Sequence, residues 1–142
     1  ILAHVANVVD PGGTVYVLAV VDDLGRLLSR VAPAGSIEFG GSASVAIAED
    51  AIEAEKIAAR EHIADAERVL KAAGMTHVEG AIVSGAPGDA IVAAAKARKV
   101  AIVLMATHGR HGIKRAFMGS VSEDVLRHLE GTPVLVLNPA GD

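Results

Sequence analysis

The sequence predicts an α/β domain: a three-layer arrangement with a doubly wound parallel sheet between two layers of helices. Three observations carry this. Short apolar runs, Thr14–Val21 (TVYVLAVV), Val78–Val83, Val100–Ala106 (VAIVLMA) and Val134–Leu137, alternate with segments of helical periodicity. Unbroken runs of this kind suit strands covered on both faces, as parallel strands are. The composition is 51% hydrophobic with only Tyr16, Phe39 and Phe117 aromatic. A core of Ala, Val, Ile and Leu lets helices lie close on a sheet. At 142 residues the chain is one domain's worth, with no internal repeat and no internal boundary.

Taken in order, Ile1, Leu2, Val5, Val8 and Val9 recur at helical spacing, and Asp10-Pro11-Gly12-Gly13 stops that helix. The first apolar strand, Thr14–Val21, ends in Asp22-Asp23. A helical turn is expected around Leu24–Val31, then a loop rich in Pro, Gly and Ser to about Ser44. The longest helix runs from about Val45 to Ala73 on the apolar stripe Ile52, Ala59, Ile63, Ala66, Leu70, Ala73, and Gly74 closes it. Gly85-Ala86-Pro87-Gly88 turns from the strand Val78–Val83 into a short Ala-rich helix, about Asp89–Arg98. After Val100–Ala106 come a Gly/His/Arg loop, a helix from about Ser120 to Leu129, and the closing strand Val134–Leu137. A doubly wound domain opens with a strand, yet here the chain starts inside its first helix. Fewer residues separate Ile1–Val5 from Thr14 than a parallel crossover needs. Five strands are therefore expected, with the first absent from this sequence.

Composition also excludes several classes. A formal charge of −4 does not draw nucleic acid or an acidic membrane face, and three aromatic residues make no base-stacking platform. Cysteine is absent, which excludes disulfide scaffolds, thiolate metal sites and thiol catalysis. The longest apolar runs fall far short of a membrane span, and the expected location is the cytoplasm.

Ligands of open parallel sheets bind beyond the carboxyl ends of the strands. The most informative loop there runs from Met105-Ala106 through Thr107-His108-Gly109-Arg110-His111-Gly112 to Gly119-Ser120-Val121. Glycines at 109, 112 and 119 let backbone approach a ligand. A helix start at Gly119-Ser120 offers free amide donors and partial positive charge. Arg110, Lys114 and Arg115 add three cations, and no acid occurs between Thr107 and Ser122. In a chain of net negative charge this points to an anionic ligand.

Over essentially all 142 residues the chain resembles the universal stress protein family. Its nucleotide-binding members carry Gly, two residues, Gly, nine residues, then Gly-Ser or Gly-Thr. Here the pattern is Ala106, two residues, Gly109, nine residues, then Gly119-Ser120, flanked by VAIVLMATHGR, GSVSEDVLRH and TPVLVL, with Gly85-x-Pro87 upstream. The resemblance implies an adenine-nucleotide α-hydrolase-like fold binding ATP, with or without Mg²⁺. It implies adenine contact at Val20, ribose and adenine contact at Met105 and Ala106, and phosphate and ribose contacts at Gly109, Gly119, Ser120 and Val121; Arg110 joins them on its charge. Ala106 replaces the first glycine, a small intrusion read as tolerated. The family's adenine-side Asp belongs to the strand this sequence lacks.

Blander readings stand beside these. Ser120 and Glu123 form S-x-x-E, a capping box that needs no ligand. Arg110, Lys114 and Arg115 can be a solvated face, Met105 can be core packing, and Asp22 and Asp23 can cap the following turn. His108 and His111 are a pair without a third metal ligand. No nucleophile elbow, Cys or complete phosphate loop is present, so at most slow ATP hydrolysis is expected. The leading expectation is a nucleotide-binding stress-response protein. The alternative is a dimeric interaction module of the same fold without nucleotide, and the third reading is an adenylating or hydrolysing enzyme. The apolar last strand, Val134–Leu137, is the expected homodimer edge.

Overall fold

The structure, a computed structural model, describes residues 1–31, 42–106 and 119–137. Its elements are α1 (Leu2–Val5), β1 (Thr14–Val21), α2 (Leu24–Val31), α3 (Ser42–Ala72), β2 (His77–Ser84), α4 (Pro87–Arg98), β3 (Val103–Ala106), α5 (Ser120–His128) and β4 (Val134–Leu137). The predicted alternation holds throughout, and β1 and β4 fall on the predicted residues. Helix α3 begins near Ser42, earlier than its apolar stripe requires, and ends before Ala73, which is exposed. Gly74 closes it at φ +97°, where a side chain would be strained.

The sheet differs from expectation. Among the described residues the four strands make two parallel ribbons, β1–β2 and β3–β4, not one continuous sheet. Thr14 to Val21 pair in register with His77 to Ser84, and Val103 to Ala106 with Val134 to Leu137. The burial of the apolar strands is corrected with it. Only Val21 of β1 is buried, Tyr16 is exposed, and β3 and β4 are half-buried along their length. A strand in a two-stranded ribbon keeps one open edge, so apolar sequence is not enough to bury it.

Helices pack against both faces. Val5 of α1, Leu70 of α3 and Met75 form one buried cluster, joined by Val15 and Val17 of β1, Val78 of β2 and Leu104 of β3. Val92 and Ala95 of α4 with Val125 and Leu129 form the other, joined by Ile91, Val100, Val103, Met105 and Val134. Along β3, Leu104 therefore serves one cluster while Val103 and Met105 serve the other, the two-residue alternation of a strand between two layers. Arg98 at the end of α4 lies 5.3 Å from the centre of the Tyr16 ring, a cation–π contact tying α4 to β1. The outer surface of α3 carries pairs such as Glu53 with Arg60 and Lys71 with Glu67; exposed pairs of this kind add little stability each.

Candidate functional site

The carboxyl end of β1 is held by local hydrogen bonds. The Asp23 carboxylate accepts from the Arg26 backbone N–H at 2.8 Å, which caps α2, as a turn-capping aspartate should. Asp22 is buried, and its Oδ1 accepts from Arg26 Nε at 3.3 Å. Its backbone N–H donates to Glu55 Oε2 of α3 at 3.1 Å, a clasp between the long helix and the strand end. Replacing Glu55 with Ala should cost about 1 kcal/mol, the usual net value of such a bond. Urea denaturation of the variant measures this; an unchanged midpoint means that the clasp contributes nothing.

Beside this strand end lies a cavity of about 490 Å³, lined by Ala19, Val20, Val21 and Asp22 of β1 and its exit, Glu55, Ala58, Ala59 and His62 of α3, and Pro87 of α4. Val20, one of the expected contacts, is therefore half-buried on an open cavity wall. Glu55 and His62 were not among the expected site residues. Their signal was present in the sequence: they fall at three- and four-residue steps from Ile52, Ala59 and Ala66, on the rim of the apolar stripe.

The other expected residues that are described lie at the end of β3 and the start of α5. Met105 packs against the α4–α5 cluster, so its side chain serves the core, as one of the two readings held. Ala106, half-buried, ends β3 opposite Leu137. Gly119 is the N-cap of α5, exposed, at φ −61° and ψ 150°, with no atom within 4 Å of where a Cβ would lie. Ser120 is exposed and Val121 half-buried in the first turn of α5. The capping-box reading is corrected here. Ser120 lies inside the helix, no side chain caps its start, and Glu123 turns forward to accept from Arg127 Nη2 at 2.6 Å. A box needs the serine at the N-cap, where this chain has Gly119. Gly109 and Arg110, like Lys114, Arg115, His108 and His111, lie outside the described residues.

The head of α4 links the two groups. Pro87 lines the cavity beside Val20, and Gly88 abuts Asp124 of α5. The end of β1 and α5, at Asp124, thus both adjoin the head of α4. Asp89 in the first turn of α4 and the Pro at its first position suit such a terminus. Among the described residues no group of three or more His, Cys, Asp or Glu could hold a metal ion, and no helix is long and apolar enough to cross a membrane.

A sequence model of the Universal stress protein family matches residues 3–138. The chain belongs to the universal stress protein family. Among solved structures, that of the hypothetical protein MJ0577, a structural-genomics test case in assigning biochemical function from structure, is 24% identical with a TM-score of 0.75; the match covers 99% of this chain and 87% of that one. The hypothetical protein PH0823 is 23% identical with a TM-score of 0.65 and the same coverage. A universal stress protein solved in complex with cAMP is 24% identical with a TM-score of 0.50, covering 89% of this chain and 100% of the other. At such identities the likeness establishes the fold. No curated protein matches the chain. In this member of the universal stress protein family, β3 ends at Ala106 and α5 begins at Ser120.

Proposed function

We propose that this protein is a nucleotide-responsive regulator that binds ATP, with its phosphates held by the loop from Gly109 to Val121. The observation that carries this reading is the loop's composition: glycines at 109, 112 and 119 and three cations without an acid, leading to the open N-terminus of α5. Val20, Met105 and Ala106 are assigned to the adenine and ribose side, Gly109, Arg110, Gly119, Ser120 and Val121 to the phosphate and ribose side. A family relative solved with cAMP supports an adenine ligand. Mg²⁺ is admitted as a companion of the phosphates, and hydrolysis is slow at most. The protein works in the cytoplasm as a single domain over residues 1–142.

Charge provides the test. Arg110→Ala combined with Lys114→Ala should weaken ATP by about tenfold while leaving adenosine within about twofold, since only ATP presents anionic groups. Raising salt should reduce the ATP affinity of the wild type likewise. Equal losses for both ligands in calorimetric titration would remove the phosphate assignment.

The reading includes a homodimer through β4. Among the described strands β4 pairs with β3 alone, its four residues are apolar, and a two-fold axis would set two such edges antiparallel. Sedimentation of the wild type should give a dimer and that of Val136→Lys a monomer. A monomeric wild type, or a variant that stays dimeric, sinks the proposal. The same fold acting only through this dimer, without nucleotide, is the competing function, and adenine nucleotide retained through purification separates the two.

A further inference from the structure

Most cations on this fold have a carboxylate beside them. Arg26 pairs with Asp22, Lys56 and Arg60 with Glu53, Arg68 with Asp65, Lys71 with Glu67 and Arg127 with Glu123. Among the described residues Lys96, Arg98 and Lys99 make no ion pair, and all three are exposed in the last turn and cap of α4. The cause is in the sequence. Lys71 and Arg127 follow an acid by four residues, whereas Lys96, Arg98 and Lys99 follow Val92, Ala94 and Ala95. The helix dipole favours cations in a last turn, so their sign alone is ordinary. Two further features are not. Lys99 caps α4 at φ 49° and ψ 47°, and among the described residues it is the one non-glycine residue in the left-handed region. Glycine takes that position without strain, so the lysine costs stability that its backbone role does not require. Arg98 is held 5.3 Å from the centre of the exposed Tyr16 ring, which fixes its charge near the start of β1. Glu79, level with Tyr16 on β2, makes no ion pair with it.

We infer that this end of α4 is a docking patch for an acidic segment of another protein. Residues 96, 98 and 99 fan around the helix end at about 100° per residue, so their charges do not converge on one point. A compact anion therefore finds no pocket here, and an extended acidic chain meets the three in turn. Exposed Ala93 and Ala97 keep the adjoining helix surface low, which lets a chain lie close. Nucleic acid and acidic bilayers bring charge over a far wider area, where the net −4 of the chain opposes them. A short acidic segment engages the patch alone, and beyond about 10 Å salt screens the rest of the surface. The patch lies at the opposite end of α4 from Pro87 and Gly88. The proposal does not depend on ATP binding and is tested without nucleotide.

The probe is a fluorescein-labelled peptide of alternating Glu and Ser, titrated into the 142-residue protein at low salt and followed by anisotropy. Saturable binding that weakens as salt rises is expected. Lys96→Gln combined with Lys99→Gln should weaken the peptide by about tenfold. Arg60→Gln combined with Arg68→Gln removes the same charge from exposed positions on α3, and should leave affinity within about twofold. Gln keeps helix propensity, and circular dichroism checks that both variants fold. Lys99→Gly separates a binding role from a structural one. Relief of the left-handed position should raise its urea midpoint, while peptide affinity still falls. Absence of binding, equal losses in the two double variants, or a Lys99→Gly midpoint that fails to rise would each overturn the inference. So would equal or tighter binding of a single-stranded DNA oligonucleotide or of phosphatidylserine vesicles through Lys96 and Lys99, which would assign the patch to nucleic acid or membrane instead.

Discussion

Gly119→Val should abolish ATP binding, with an affinity loss of at least about a hundredfold, while lowering stability by no more than about 1 kcal/mol. The structure makes this substitution unusually clean. Gly119 caps α5 at φ −61°, a conformation open to any residue, and nothing lies within 4 Å of the position a Cβ would take. Neither strain nor a clash within the described structure can account for a lost ligand. What the valine side chain would occupy is the space in front of the first amides of α5, where an anion would approach. Valine is a poorer N-cap than glycine, which sets the small stability cost. Titration with labelled ATP, alongside urea denaturation, measures both quantities. Unchanged affinity would remove Gly119 from the phosphate site, and a large loss of stability would mean that the helix start depends on glycine for another reason.

Gly88→Ala should do the reverse and destabilise the fold by about 2 kcal/mol through overpacking. Gly88 is buried in the first turn of α4, and an added methyl would collide with the carboxylate of Asp124 on α5. Asp124 is not free to swing away without loss, since its Oδ1 lies 3.0 Å from His128 Nδ1. Alanine's better helix propensity offsets about 1 kcal/mol at most, so the clash decides the sign. Combining Gly88→Ala with Asp124→Ala should recover most of the loss, because the carboxylate is the obstacle; the Asp124 Cβ, also close, limits the recovery. A neutral Gly88→Ala in urea denaturation would show that α4 and α5 are packed more loosely than described. Since Pro87 lines the cavity and α5 carries Gly119, Gly88→Ala should also lower ATP affinity if the site is built as proposed.

Much of the local structure was legible in the residues. β-Branched runs bounded by Asp10-Pro11-Gly12-Gly13 and Asp22-Asp23 marked β1 to its ends, because turn residues and apolar alternation act over a few neighbours. The stripe Ile52–Leu70 predicted α3, and Gly74 its end, for the same reason. The residues marked a strand end at Met105-Ala106 and a helix start at Gly119-Ser120, and β3 ends at Ala106 while α5 begins at Ser120 behind the N-cap Gly119. The cap of α5 was misread because S-x-x-E does not say which residue takes the non-helical position; the chain used Gly119 and left Glu123 to Arg127. Glu55 and His62 went unremarked because a polar residue on the rim of an apolar stripe looks solvated until the facing surface is known.

Local chemistry alone thus determined the kind and order of the elements, the small-residue core and the basic glycine loop. Tertiary structure decided the rest. It divided the four strands into two ribbons, left TVYVLAVV half-exposed, and set Val20 on a cavity with Glu55, His62 and Pro87. Strand pairing and cavity walls depend on residues far apart in the chain, such as Val20 beside Val83 or Asp22 beside Glu55. An apolar run specifies only that a strand prefers cover. Whether it has a neighbour on each edge is settled by which other strands reach it.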